Sequence, residues 1–192
     1  NDAEIATFDG IAFSDDLRIV MPESLDADDV VATLSDETSD NYLGWLRFES
    51  RSATPLFSPI DFTQPMSGKL TVVFGEGNDT FSFGSLIPES VLQSLKVVID
   101  GGGGLDQLWA PEASQNLFYT EGTDEGIVFV GESTSPNVRL GNIENLLGNE
   151  GSADTFTFAA GGSITGFVLG QADSGDLDTV VVEIGLSSSA QT

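Results

Sequence analysis

The sequence predicts an all-β domain, and its internal repeats favour a β-solenoid over a sandwich or a barrel. Many short apolar runs are separated by clusters of glycine, asparagine, aspartate and serine, a pattern typical of short strands joined by turns. The 22 glycines and 7 prolines are spread along the chain, and no long segment repeats at helical spacing. The 192 residues suit one domain or one stretch of a repeat array.

The predicted elements follow from these apolar runs. Short helical turns are predicted only at residues 26–34 and 88–95, too short to define a fold. The predicted strands, in chain order, are residues 17–21, 30–34, 43–49, 69–74, 80–83, 96–99, 107–109, 126–130, 137–140, 155–158, 163–169 and 179–184.

Internal repeats are the reason for predicting a solenoid. The string GNDTFSF at residues 77–83 returns as SADTFTF at residues 152–158, and Asp106 returns in the same way as Asp178. Repetition of this kind is expected when each repeat is one coil stacked on the next.

The domain prediction follows from the extent of the repeats. Residues 61–192 are predicted to form the repeat solenoid, in units of about 70–146 and 147–192. Residues 1–60 carry β-like runs without a glycine–aspartate turn. We predict a less regular N-terminal β cap or small β module there, because a solenoid end exposes unpaired strand edges.

The charge balance limits the possible partners. The chain has 31 Asp and Glu against 6 Lys and Arg, a net charge of −25. A compact body with this charge repels itself, so the carboxylates either bind divalent cations, suit salty water or maintain solubility. Nucleic acid and anionic membranes are disfavoured as partners, because both need clustered basic residues.

Residue types that are missing narrow the chemistry further. The chain has no cysteine and no histidine, so it lacks disulfides, a Ser-His-Asp arrangement and most zinc sites. No run of about 18 apolar residues is present, so no transmembrane helix is predicted. The chain begins on a polar segment, and we expect a processed protein or a piece of a longer one.

Two glycine-rich turns carry the metal prediction. They are GEGNDTF at residues 75–81 and GGGGLDQL at residues 101–108, and both fit the core of the pattern G-G-x-G-x-D-x-U-x, where U is a large apolar residue. Glycine lets the backbone turn tightly and present its carbonyls, and the aspartate adds a carboxylate. Calcium prefers such a mixture of oxygens, although glycine and aspartate also favour turns without metal.

The predicted metal-binding residues come from these turns and from looser matches. In the second unit one extra residue separates glycine from aspartate, which predicts weaker sites there. The set is Gly75, Gly77, Asn78, Asp79, Gly102, Gly104, Asp106, Asp124, Asp154 and Asp178.

At these residues the chain resembles the calcium-binding repeats of the repeats-in-toxin (RTX) family, and in particular giant surface proteins of aquatic bacteria. The similar lines are LTVVFGEGNDTF at 70–81, VIDGGGGLD at 98–106 and NIENL at 142–146. The resemblance covers roughly residues 60–184. It implies a right-handed parallel β-solenoid (β-helix or β-roll-like), calcium ions in the turns and an extracellular or cell-surface location. The two good nonapeptides are not in tandem, which departs from the family pattern.

The resulting functional prediction is a non-catalytic structural or adhesive module, an adhesin-type spacer, matrix or filament component of a secreted bacterial protein. Its expected partners are calcium ions, copies of itself or neighbouring repeats end to end, and surface glycans. One alternative is a carbohydrate- or surface-binding module that uses Trp45 or Trp109. A polysaccharide-degrading parallel β-helix enzyme is disfavoured, because nothing marks a cleft and few basic residues could hold an acidic sugar.

Overall fold

The computed structural model describes residues 16–21, 29–36, 45–63, 69–84, 87–171 and 177–183. Within these ranges the regular structure is β-strand apart from one short helix. The elements are β1 (Leu17–Val20), β2 (Val31–Asp36), β3 (Trp45–Ser50), β4 (Ile60–Thr63), β5 (Leu70–Val73), β6 (Thr80–Phe83), α1 (Glu89–Leu92), β7 (Val97–Asp100), β8 (Gln107–Trp109), β9 (Gln115–Gly122), β10 (Glu125–Val130), β11 (Val138–Gly141), β12 (Asn145–Leu147), β13 (Ala153–Phe158), β14 (Val168–Leu169) and β15 (Thr179–Val182).

The strands form two mixed sheets. Sheet A has the order β1-β5-β7-β11-β10-β9-β13-β15, and sheet B has the order β14-β12-β8-β6-β2-β3-β4. Neighbouring strands are parallel except at β11-β10-β9 in sheet A and at β2-β3-β4 in sheet B. The all-β prediction is confirmed, whereas the antiparallel insertions were not predicted.

The chain alternates between the sheets. It passes from β5 to β6, from β7 to β8 and from β11 to β12, each time from sheet A to sheet B. We call one sheet A strand and the sheet B strand that follows it a rung. Successive rungs are in register: Leu70 lies beside Val97 in sheet A, and Thr80 lies beside Gln107 in sheet B.

The core consists of side-chain columns that run across the rungs. In β5 and β7 every second residue is buried, because successive side chains of a strand point to opposite faces. Phe81 and Leu108 form one column in sheet B, and Phe118 and Phe156 form another in sheet A. The core therefore extends along the stack of rungs.

A hairpin of β9 and β10 interrupts the parallel order of sheet A between β11 and β13. At its tip Asp124 has a positive φ of 56°, a conformation in which aspartate is tolerated better than most residues. The backbone of Asp124 also receives a hydrogen bond from the Ile143 N–H, at 3.1 Å. The hairpin is thus tied to the turn that joins β11 to β12.

The N-terminal residues contribute to both sheets. β1 pairs with β5, and β2 pairs with β6, both in parallel. The predicted domain boundary after residue 60 falls within β4, which pairs with β3. No helix in the described ranges has the length and apolarity needed to cross a membrane.

Candidate functional site

Three acidic side chains lie one above another where the chain enters sheet B. Asp79, Asp106 and Glu144 directly precede β6, β8 and β12, which are neighbours in register. Each accepts a backbone N–H from the neighbouring rung: Val30 donates to Asp79 Oδ1, Asp79 to Asp106 Oδ1, and Asp106 to Glu144 Oε2, each at 2.7 Å. We call these three residues the acidic ladder.

The acidic ladder satisfies donors that the sheet does not use. The residue before each sheet B strand gives its carbonyl to the next rung, as Asp79 does to the Gln107 N–H at 2.8 Å. Its own N–H instead meets a carboxylate, and a charged acceptor makes a stronger hydrogen bond than a neutral one. The aspartates therefore have a structural role that needs no metal.

Asp106 is the most constrained member of the acidic ladder. It is 1% exposed, and its Oδ2 has no hydrogen-bond partner among the described residues. Burial raises the pKa of Asp106 to about 7; the Asp79 N–H opposes the shift, and the charges of Asp79, Glu144 and Asp100 add to it. A buried carboxylate oxygen among other acids favours a proton or a cation beside it.

The predicted glycines of the two turns pack directly against one another. Gly102 and Gly104 have φ angles of 88° and 137°, where side chains are strained. A Cβ at Gly102 would overlap the carbonyl oxygen of Gly75, and one at Gly104 would overlap that of Gly77. The Gly103 N–H donates to the Gly75 oxygen at 2.8 Å. The two turns are thus in direct backbone contact.

Asn78 joins the same two turns on their outer side. Its side-chain Oδ1 accepts the Leu105 N–H at 2.9 Å, and its own N–H donates to Asp29 Oδ1 at 2.7 Å. Asn78 is exposed, unlike Asp79 beside it. Its bonds to Asp29 and Leu105 therefore form a second, solvent-facing row of hydrogen bonds next to the acidic ladder.

Asp124 lies at the tip of the β9–β10 hairpin, outside the two glycine-rich turns, and its carbonyl oxygen accepts the N–H of Ile143. Its carboxylate accepts the Thr165 N–H at 2.7 Å and the Thr165 hydroxyl at 2.8 Å. These bonds fasten the hairpin to the segment between β13 and β14. Its interactions are those of a turn residue.

Asp154 and Asp178 lie where the chain enters sheet A. Asp178 directly precedes β15 and accepts the Asp154 N–H at 3.0 Å. Asp154 is fully buried and accepts the Asn116 amide at 2.8 Å and the Asn149 N–H at 2.9 Å. Burial raises the pKa of Asp154 to about 6, and these hydrogen bonds oppose the shift. This corner is separate from the acidic ladder.

Most of the predicted metal-binding residues thus lie together, and the others lie elsewhere in the structure. The structure brings the residues of the turns at 75–79 and 101–106 together and leaves Asp124, Asp154 and Asp178 outside that group. The sequence-based prediction missed Glu144, because no glycine turn precedes it. The feature that identifies Glu144 is its position directly before β12, in register with Asp106.

The two tryptophans of the carbohydrate alternative are placed differently. Trp109 ends β8 and is 38% exposed. The side chain of Trp45 lies outside the described part of the chain. Among the described side chains, Trp109 is therefore the accessible indole.

The two turns offer the type of ligand atom that calcium binds. All candidate ligand atoms are oxygens, and Asp106 Oδ2 is a buried oxygen with no described donor. In the described ranges, however, no group of three or more Asp, Glu, His or Cys side chains could hold a metal ion. The acidic ladder spreads its carboxylates along the rungs, so an ion there would need backbone carbonyls and water to complete its shell.

Comparison of the chain with protein-family models, curated proteins and solved structures finds no significant match. The candidate site is therefore defined by its register, hydrogen bonds and burial.

Without divalent ions, we expect the chain to be more stable at pH 5 than at pH 8. Asp106 and Asp154 have folded-state pKa values of about 7 and about 6, above the 3.8 of a solvated aspartate. The folded chain therefore binds more protons than the unfolded chain. The resulting stabilisation is complete below the pKa of the unfolded chain, and it is lost as the pH rises through the folded-state pKa values. Urea unfolding in a chelator should show a difference of up to about 4 kcal/mol, at about 1.4 kcal/mol for each unit between pH 5 and a folded-state pKa.

Variants identify the source of this pH dependence. Asp106→Asn should flatten the dependence near pH 7, whereas Glu150→Gln, at an exposed position, should leave it unchanged. A stability that climbs steadily from pH 5 to pH 8 would contradict the assignment.

Proposed function

We propose that the chain is a non-catalytic structural or adhesive module of an extracellular bacterial surface, built as a parallel β-solenoid. Support comes from the order of the strands. Sheet A and sheet B each contain a run of in-register parallel strands, and the chain fills them alternately. Stacked units that contact mainly their neighbours make extended, stiff bodies suited to a spacer.

The proposed hand of the solenoid is right-handed. The connection from one parallel strand to the next in the same sheet, as from β5 through β6 to β7, is right-handed in about 98% of known cases. The twist of the strands favours this hand, because it returns the chain to the same sheet without crossing.

The observation that carries a calcium role is the buried Oδ2 of Asp106, in a row with Asp79 and Glu144. An ion would be held by Asp106 and Asp79 with carbonyl oxygens of Gly75 and Gly77. It would offset the burial of the Asp106 carboxylate and its repulsion by neighbouring carboxylates, which both raise the pKa of Asp106. Because such an ion binds the folded chain alone, it would couple folding to the calcium concentration outside the cell.

A non-catalytic role agrees with the state of these carboxylates. Asp79 and Asp106 are 2% and 1% exposed, and both already bind backbone N–H groups. Glycoside hydrolysis needs a pair of carboxyl groups that reach the substrate. The acidic ladder is therefore suited to stabilising neighbouring rungs.

Calcium should raise the thermal unfolding midpoint relative to the same protein in chelator. At a calcium concentration of about one hundred times Kd, we expect about 2–3 kcal/mol of added stability. Asp106→Asn should remove most of this gain, because it replaces a charged ligand by a neutral amide. Differential scanning calorimetry with calcium, magnesium or chelator measures the effect.

Asp124→Asn is the matched control for this experiment. It changes the same functional group at a carboxylate that already binds Thr165, so the calcium response should persist. Superposable unfolding curves in calcium and in chelator would remove calcium from the proposed function and leave the acidic ladder as a hydrogen-bonded structure.

A further inference from the structure

Among the described residues, the core is open at the C-terminal end of the stack. Val180 of β15 continues the column of Phe118 and Phe156 in sheet A. Phe156 is 2% exposed, whereas Val180 is 61% exposed and Val182 is 66% exposed. Val180 thus occupies a position that is buried one strand earlier, and Val182 lies beside the partly buried Phe158. The end of the core is therefore an apolar surface.

At the other end of the stack the core is covered, although β1 and β4 are edge strands there. There β3 and β4 extend sheet B beyond β2, and Leu34 of β2 and Phe48 of β3 are fully buried. On the sheet A side, the core residues Ile19 and Met21 are each 9% exposed. Of the two ends, the C-terminal one alone presents core positions to solvent in the described ranges.

β15 also presents backbone groups that have no partner strand in the described ranges. The Glu183 N–H donates to the Phe158 oxygen of β13 at 2.8 Å. Since the bonding direction alternates along a strand, Val181 faces β13, and the N–H and C=O groups of Val180 and Val182 face away from it. An edge of this kind recruits another strand.

We propose that two copies of the chain associate through these ends, with β15 of one pairing antiparallel with β15 of the other about a two-fold axis. The open end needs a partner that is apolar and carries an unpaired strand, and the same end of a second copy has both properties. Head-to-tail stacking would instead place it against the covered end. Two-fold dimers are also the commonest closed assembly.

The alternation of β15 sets the register of this dimer. Residues opposite each other must share a face, so Val181 lies opposite Val181 of the second copy, and Val180 lies opposite Val182 of the second copy. In this register Val180 and Val182 exchange the hydrogen bonds. Val181 forms the non-hydrogen-bonded pair on the two-fold axis, with Cα atoms about 4.5 Å apart.

Charge should make this association dependent on salt. Each copy carries a net charge of −25, and Asp178 and Glu183 flank β15. Repulsion between the copies is screened as ionic strength rises, because the Debye length falls from about 30 Å at 0.01 M to about 8 Å at 0.15 M salt. The dimer fraction should therefore increase with salt.

A single cysteine tests the register directly. The chain has no cysteine, so Val181→Cys introduces one thiol at the proposed axis. The expected Cα separation lies within the roughly 4.4–6.8 Å range of disulfides, and oxidation at micromolar concentration should convert most of the protein to a covalent dimer. Val20→Cys, at a 49% exposed position of β1 at the other end, should stay mostly monomeric.

Sedimentation equilibrium of the unmodified chain and of Val180→Lys completes the test. The unmodified chain should show twice the mass of the 20.2 kDa monomer. Val180→Lys should show one monomer mass, with the unfolding midpoint that the unmodified chain has when it is diluted to monomers. A monomer at all concentrations would overturn the proposal, and so would cross-linking only between Val181→Cys and Val20→Cys. Calcium is present throughout, so a failure of the calcium proposal would appear in unfolding curves and not in these masses.

Discussion

Gly101→Ala should lower the free energy of unfolding by at least about 3 kcal/mol, near the upper end for overpacked sites. A Cβ at Gly101 would overlap the carbonyl oxygen of Asn142 on the next rung, and it would also lie within 2.5 Å of Asp106 Oδ2 in its own turn. One neighbour is backbone and the other is a buried side chain, so neither can move away freely. The substitution forces two rungs apart.

Gly141→Ala provides the matched control for this substitution. Gly141 ends β11, the strand next to β7 in sheet A, and no heavy atom lies within 4 Å of an added Cβ. We expect a change below about 1 kcal/mol, because alanine there mainly restricts the unfolded chain. Denaturant unfolding of both variants measures the difference. Equal losses would show that the contact with Asn142 is unimportant.

Phe156→Ala should cost about 3–5 kcal/mol, the usual range for a large aromatic residue removed from a core. Phe156 is 2% exposed, and its ring stacks on Phe118 with centroids 4.5 Å apart and planes 16° apart. Truncation removes this contact and leaves a cavity between β9 and β15. The midpoint of chemical unfolding should fall without a change in its slope.

Phe167→Ala is the control, because it removes a phenyl ring from an exposed position and so distinguishes the effect of burial from the loss of a ring. Phe167 is 50% exposed, so its loss should change the unfolding free energy by less than about 1 kcal/mol. A comparable loss in the two variants would mean that the column through Phe118 and Phe156 does not form the core at this point.

Strand positions next to glycine–aspartate turns were predictable from the sequence. β6 and β8 begin and end at the predicted residues 80–83 and 107–109, because each follows its aspartate directly. β4, β9 and β12 were not predicted. In β9, two inward positions hold Asn116 and Thr120, so its sequence lacks the apolar alternation that marked the predicted strands.

The sequence repeat has a different structural meaning from the one predicted. Asp79 and Asp154 occupy the same place in the two matching strings. Asp79 nevertheless precedes a strand of sheet B, whereas Asp154 lies in a strand of sheet A. The same local pattern suits both corners, because each corner needs a carboxylate that accepts a backbone N–H. Sequence similarity therefore identified the type of turn and not its place in the stack.

The acidic ladder was predictable only in part. Asp79 and Asp106 are marked by their glycines, but the contribution of Glu144 depends on which strand lies beside β8. That neighbour is β12, because the β9–β10 hairpin is accommodated within sheet A. Local patterns carry no information about an insertion of this kind, so the third member of the acidic ladder required the structure.

The β9–β10 hairpin also affects the geometry of the whole stack. Between β11 and β13 sheet A spans three strand spacings, whereas β12 and β14 are adjacent in sheet B. At about 4.8 Å per spacing, one side is longer by roughly 10 Å, a length similar to the distance between two packed sheets. We therefore expect the stack to bend at the hairpin, with sheet A on the outer side of the bend.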